Sequence, residues 1–206
     1  MQECGLSARK KKRKPRTTDS NHDLPIAPNL LEQDFTADAP DKKWMSDFTY
    51  LETREGWLFL AGVLDAYSRK IVGWSMSEHH DTELVQTALH MALLQRRPGA
   101  ELIHHSDRGS EYASRRYQSL LREHQIQISM SKKGDCYDNA VIESFWATLK
   151  KECLGDDIFL SRDEAKTAVF EYIEVYYNRK RKHSSLGYLS PAHYEKQMRE
   201  IKDDFS

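Results

Sequence analysis

The stretch Trp44-Met45-Ser46-Asp47-Phe48-Thr49-Tyr50-Leu51 decides the fold. Aromatic and apolar residues dominate it, and Met45, Asp47, Thr49 and Leu51 fall on one face at a period of two, which is the spacing of a β-strand. Arg54-Glu55-Gly56 then makes a turn. Trp57–Leu64 is almost wholly apolar, as suits a central strand covered on both faces. Ser68-Arg69-Lys70 turns the chain again into a third strand, Ile71–Met76. Asp47 is the odd residue of the set, because a mid-strand carboxylate among buried neighbours is costly unless something offsets its charge.

Beyond this meander the period changes. From Asp81, a candidate N-cap, Leu84, Val85, Ala88, Leu89, Ala92 and Leu93 recur at helical spacing, and Pro98-Gly99 ends the helix. Glu101–Ser106 reads as a fourth strand and Ile126–Met130 as a fifth. Between them Tyr117, Leu120, Leu121 and His124 mark a helix. Asp138 is a candidate cap for a helix running to about Cys153, with Val141, Ile142, Phe145 and Leu149 as its buried stripe. Ser161 and Glu164 have capping-box spacing and open a long helix carrying Ala168, Tyr172, Ile173 and Tyr176. Ser190-Pro191 starts a last short helix. The order predicts one α/β domain with a mixed five-stranded sheet flanked by helices. Residues 1–42 read as a basic, largely extended arm, 43–160 as the core, and 161–206 as C-terminal helices that complete it.

The 206 residues suit a single domain that needs no staple. Three cysteines (Cys4, Cys136 and Cys153) without CxxC spacing argue against a disulfide framework or structural zinc and fit a reducing cytoplasm. No membrane span or secretory signal is read. The net charge of −1 is unevenly spread: residues 1–16 carry +6, leaving −7 on the rest. That basic run, with Lys11 and Arg13 at its centre, suits a phosphate-binding tail and suits a solvated tail equally.

Three acids stand out by position. Asp47 is mid-strand, Asp107 follows the fourth strand immediately before Arg108-Gly109-Ser110, and Glu143 lies in the third helix. Sites usually form at strand ends on one edge of an α/β sheet. Converging carboxylates there would offer hard oxygen ligands, which favour Mg²⁺ or Mn²⁺. Position alone leaves alternatives open: Asp107 can be a turn former, Glu143 can face solvent, and Asp65, Asp135 and Asp138 compete. His104 and His105 are adjacent strand residues and point to opposite faces, so a shared ion is disfavoured.

Five blocks resolve the choice. They are Trp44–Leu51, Val63-Leu64-Asp65-Ala66-Tyr67-Ser68-Arg69, His104–Tyr112, Ser131–Ala140 with Glu143-Ser144-Phe145, and His183–Pro191. With these the chain resembles the second-frame transposases of the IS3 family of bacterial insertion sequences, relatives of retroviral integrases. The family's last two acids have 35 residues between them, as Asp107 and Glu143 do here, and its basic residue seven after the Glu is matched by Lys150.

The resemblance implies a ribonuclease H-like fold, with Asp47, Asp107 and Glu143 as catalytic ligands of two Mg²⁺ ions. It implies DNA strand cleavage and transfer during transposition, on element ends and target DNA, by a homo-oligomer in the cytoplasm at the nucleoid. Tyr137-Asp138-Asn139 would aim the Glu143 helix, and Asp65 would be structural. Lys150 and Asn139 are candidate DNA contacts. Arg179, Arg181, Lys182 and His183 form a phosphate-contact patch or, equally, a solvated helix end with favourable cations.

Two departures count. Glu111 stands where the family usually has Gln, and Cys4–Ala8 reads as the tail of a helix-turn-helix segment, so a helix-turn-helix product of the upstream frame is the expected partner. Two other readings are a catalytically silent DNA-binding remnant or accessory subunit, and a stand-alone nuclease of the same fold.

Overall fold

The computed structural model describes residues 22–133, 136–154 and 158–204. Strands β1 (Lys43–Thr53), β2 (Gly56–Asp65), β3 (Ile71–Ser77), β4 (Ile103–Ser106) and β5 (Gln127–Met130) form one sheet in the order β3-β2-β1-β4-β5. β1, β2 and β3 pair antiparallel through short turns, whereas β4 joins β1 in parallel and β5 joins β4 in parallel. Parallel neighbours need crossovers, and helices supply them. α1 (Thr82–Arg96) links β3 to β4, and α2 (Ser110–Ala113) with α3 (Arg115–Glu123) links β4 to β5. Helices α4 (Ala140–Leu149), α5 (Arg162–Phe170) and α6 (Pro191–Asp204) follow.

The apolar run in β2 has a direct cause. Phe59, Ala61 and Val63 join a core under α1 and α3, while Leu58, Leu60 and Leu64 join a second core under α4 and α5. Burial on both faces contributes roughly 1.5–3 kcal/mol for each large apolar side chain. Gly73 lets α1 settle directly on β3, since a Cβ there would stand 2.2 Å from the Ala88 carbonyl oxygen. Asp81 caps α1 as expected, accepting from the Leu84 N–H at 3.0 Å. The helix ends on Arg97 in the left-handed conformation (φ 48°), one residue before Pro98-Gly99.

Three details differ from the sequence expectation. Asp138 does not cap the helix after it. Its Oδ2 accepts from Lys132 N at 2.6 Å and from Asn29 Nδ2 at 3.0 Å, and a 3-10 turn over Cys136–Asn139 leads into α4. The helix after Ser161 passes from α to π geometry over Glu171–Tyr177. The wider turn delays the buried stripe by one residue, so Tyr177 is buried and Tyr176 exposed. The second half of the arm is also tied down: Leu31 is 3% exposed within the α4–α5 core, and Pro28 accepts from Met130 N, covering β5.

The C-terminal helices lock onto the sheet through polar groups. The Asn178 amide donates to and accepts from the Ile71 backbone at 2.9 Å each way. Glu195 of α6 accepts from Arg96, Ser68 and Lys70.

His104 and His105 are fully buried on β4. Ser46 Oγ and Tyr117 Oη lie 2.7 and 3.0 Å from His104 Nε2, and Ser129 Oγ lies 2.8 Å from His105 Nδ1. Burial lowers the first from 6.5 to about 3, with the charge of His105 adding to it, and lowers the second to about 4. The folded values lie below the unfolded one, so the unfolded chain takes up protons that the native protein refuses. Stability is therefore full above about pH 6.5 and falls with pH below it. The expected loss between pH 7 and pH 5 is about 2 kcal/mol per histidine. Urea titrations at the two pH values measure it, and His104→Gln should remove about half of the difference. An unchanged difference in that variant would refute the assignment.

Candidate active site

The site begins with strand register. Lys43 to Ser46 of β1 stand opposite Ile103 to Ser106 of β4, in parallel and without a slip. The next step along both chains brings Asp47 and Asp107 alongside each other on strands about 4.8 Å apart. On its other side Asp47 faces Gly62 of β2. A Cβ at Gly62 would lie 2.8 Å from the Trp146 ring, so only glycine admits this indole. Seated there, Trp146 of α4 donates from Nε1 to Asp47 Oδ2 at 3.1 Å.

Glu143 lies three residues before Trp146, on neighbouring flanks of α4, and its side chain is exposed. The carboxylates repel one another. Burial first, then the charge of Asp107 and to a lesser degree that of Glu143, hold Asp47 well above the usual carboxylate range. Hydrogen bonds from the Phe48 N–H and Trp146 pull the other way. Partial burial followed by the charge of Asp107 also raises Glu143. The three acids of the sequence reading thus share one electrostatic neighbourhood. Among the described residues, no three His, Cys, Asp or Glu side chains close around a single metal position. Asp47 and Asp107 are half-buried and Glu143 stands at the rim, so the arrangement is an open basin.

Asp107 is held by its own loop, its Oδ1 accepting from Gly109 N at 2.8 Å. Gly109 also marks a fourth acid. A Cβ on it would stand 3.0 Å from Asp107 Oδ1 and 3.0 Å from Glu111 Oε2. Glu111 is 8% exposed, its Oε2 is buried without a hydrogen-bond partner, and burial raises its pKa. The departure noted in the sequence therefore sits beside the acidic pair.

The competitors have other work. Asp65 is fully buried and accepts from Asp41 N, Ser68 N and Ser68 Oγ at 2.7–3.0 Å, which holds the β2–β3 turn. Asp138 anchors the loop before α4. Asp135 lies outside the described residues, as do Lys11 and Arg13.

The candidate DNA contacts are dispersed. Lys150 stands 5.0 Å over the Tyr50 ring. Asn139 is 5% exposed with a buried, unpartnered Oδ1, so it offers little surface to a nucleic acid. Arg179 and Lys182 are exposed. Arg181 grips Glu152 with Nε and Nη2 at 2.8–3.0 Å. His183 packs edge-on to Tyr177 and is pushed down to about 4, by burial first and the charge of Arg181 second, so it is neutral at pH 7.

Sequence reading missed Trp146 and Gly62. The signal for Trp146 was its place three residues after Glu143 on one helix; nothing local marks Gly62.

With this geometry in place, the comparisons decide the family. The integrase core domain family matches residues 37–136 and, with a second model of the same description, 124–191. A 31 kDa protein of insertion element IS600 from Shigella sonnei is 49% identical over 199 residues, covering 97% of this chain and 73% of that protein. The transposase InsF of IS3fB from Escherichia coli strain K12 is 48% identical over 193 residues, covering 94% of this chain and 67% of its own. The chain belongs to the IS3 family of insertion-sequence transposases. Among solved structures, a simian T-cell lymphotropic virus intasome matches the transposase with a TM-score of 0.64 at 14% identity, covering 87% of this chain and 61% of that one. The HTLV-2 integrase catalytic core, solved in complex with magnesium, matches with a TM-score of 0.59 at 14% identity, covering 78% and 99%. These likenesses show the ribonuclease H-like fold of integrase cores in the transposase.

The Gly62–Trp146 seat is testable by a double-mutant cycle. Gly62→Ala in the transposase should cost about 1–3 kcal/mol in urea denaturation, because the added methyl overpacks against the indole. In a Trp146→Phe background, which lacks the clashing ring atoms, the same change should cost less than about 0.5 kcal/mol. Equal costs in both backgrounds would mean that the indole is not what excludes a side chain at position 62.

Proposed function

We propose that this transposase cuts DNA and joins the released 3′-hydroxyl to a target by divalent-metal phosphoryl transfer, with Asp47, Asp107 and Glu143 as its acidic centre. The observation that carries this reading is the β1–β4 register, which sets two carboxylates side by side beneath a helix that brings a third.

The donor set fits a hard divalent cation. It is all oxygen, and among the described residues no Lys or Arg pairs with Asp47, so the charge that burial makes costly has no ionic partner among them. Bound there, two Mg²⁺ or Mn²⁺ ions would stabilise the attacking and leaving oxygens of the displacement and help to generate the nucleophile. The residues of the chain prepare that site. Trp146 fixes one oxygen of Asp47, and the Gly109 N–H fixes one of Asp107, so neither carboxylate has to find its rotamer when substrate arrives. Glu143, exposed on α4, can approach from the open side. Glu111 adds negative charge beneath the basin.

DNA is the substrate in this reading, at element ends and at the target. Lys150, Arg179 and Lys182 are its candidate phosphate contacts, with Lys11 and Arg13 of the basic arm. Asn139, Arg181 and His183 are weaker candidates, being buried, paired or neutral as described. A helix-turn-helix product of the upstream frame and further copies of this chain are the proposed partners, at the nucleoid of the cytoplasm. No helix among the described residues is long and apolar enough to cross a membrane.

The test is strand transfer in Mg²⁺ with DNA carrying the element ends, using the chain with its upstream-frame partner. Asp107→Asn, nearly isosteric, should lower the rate roughly a thousandfold, the worth of several kcal/mol of charge stabilisation. Its thermal unfolding in EDTA should stay within a few degrees of the parent. Wild-type transfer rates in Asp107→Asn would sink the assignment, and efficient cleavage of DNA without element ends would point to a nuclease.

A further inference from the structure

Away from the acidic basin, a groove of 570 Å³ opens between α4, the β2–β3 turn and the Arg181–Tyr188 segment. Ala140, Ser144 and Thr148, one stripe of α4, form its floor. Ser144 directly follows Glu143, so floor and basin are about 100° apart around one helix.

The chemistry of the lining is selective. Arg69, Arg181 and Lys182 face the groove and, among the described residues, no Asp or Glu does, on a chain with 32 acids. Glu152 occupies Arg181 by accepting from its Nε and Nη2, so Arg181 serves to brace the wall. Among the described residues neither Arg69 nor Lys182 closes an ion pair with a carboxylate, although the charge of the buried Asp65 acts on Arg69. Arg69 is held in the left-handed region (φ 61°), a conformation that is strained for a residue of its size, and its N–H is tied to Asp65 O at 2.8 Å. The turn thus aims a half-buried guanidinium into the groove. Tyr188 at the rim is 69% exposed, and Ser184 and Ser185 add hydroxyls.

Cations without acids, hydroxyl donors and one open aromatic face are the components that hold a nucleic-acid strand by its phosphates and a stacked base. We infer that this groove binds a single DNA strand, with Arg69 and Lys182 on successive phosphates and Tyr188 under an unpaired base, beside the acidic centre and separate from it. Single-stranded DNA is favoured over duplex because Tyr188 can stack only on a base whose face is free. The inference rests on DNA being the substrate, and it names the form of DNA that the α4 flank receives.

Binding of a fluorescein-labelled oligothymidine to the full chain in EDTA tests the groove without the metal centre. Arg69→Asn with Lys182→Gln keeps a residue that tolerates the left-handed turn and removes two cations. We expect a salt slope shallower by about 1.4 and roughly 25-fold weaker binding at 0.1 M salt. Lys182→Gln alone, on an exposed side chain, should give half of that slope change. Tyr188→Ala should weaken binding at least fivefold or so with the slope unchanged. Duplex of equal length should respond less to Tyr188→Ala than the single strand does. Unaltered affinity and slope in the Arg69 and Lys182 variants would overturn the groove, and so would an equal Tyr188→Ala loss on duplex. Because the oligonucleotide is bound in EDTA, groove binding does not call on the metal centre. Groove binding without any strand transfer would therefore refute the catalytic reading alone, and strand transfer with indifferent groove variants would refute the groove alone.

Discussion

Like charges forced together are the constraint from which the rest of this structure follows. Parallel pairing of β1 with β4 sets Asp47 beside Asp107. Desolvation makes the charge of Asp47 costly, and repulsion from Asp107 adds to that. The sheet bears the repulsion because its register is held from both faces by apolar cores that share β1 and β2. Sliding β1 by one residue to relieve it would send Met45 and Leu51 into the wrong layer and Trp44 and Phe48 into the other. The strain of the site is thus carried by core packing some distance from it.

The same constraint explains small features that are otherwise unrelated. Gly62 is bare so that an indole can lie over the strand and give Asp47 a neutral donor; a cation in that place would neutralise the centre before any substrate arrived. Gly109 donates to Asp107 from within its own loop. Glu143 stays exposed at the rim, where its charge costs least. On the far side, Asn178 and Glu195 fasten the C-terminal helices to the β2–β3 end of the sheet with bonds that leave no buried backbone group of Ile71 unmatched. One edge of the molecule is stiffened and the other is left open, which is the division that a site acting on a long polymer needs.

Much of this was legible in the sequence because it is local or periodic. The period-two face of β1, the doubly apolar β2, the Asp81 cap and the Pro191 start each declare themselves within a few residues. The three acids proposed as the centre were singled out through the spacing of family blocks; their positions alone left Asp65 and Asp138 as equals, and the hydrogen bonds of those two tie them to the turn and the loop in which they sit. What could not be read depends on contacts between distant segments. The Gly62–Trp146 seat joins residues on separate elements, and neither carries a local mark of the other. The π-helical turn that exchanges Tyr176 for Tyr177 shifts a stripe that an ideal helical period would place differently. Leu31 was hidden inside a segment whose composition reads as extended arm, because one buried anchor does not alter a composition.

Charge distribution connects the basin to the groove. A polyanion approaching four acids in one neighbourhood meets a field that opposes it, and at physiological salt that field persists over about 8 Å. In the proposed reading, attraction has to come from a surface outside that radius or screened from it, while the acids await metal ions that would reverse their sign. A groove with no acid among its described lining residues, one flank round α4 from Glu143, satisfies both demands, since the helix body separates the two linings while keeping them on one rigid element. A strand held by Arg69 and Lys182 would then be delivered toward Glu143 by geometry, and the binding energy would be spent on position and not on overcoming repulsion at the reacting phosphate. The net charge of −1 conceals this arrangement, because in the proposed reading affinity and chemistry take opposite signs on adjacent flanks of the same helix.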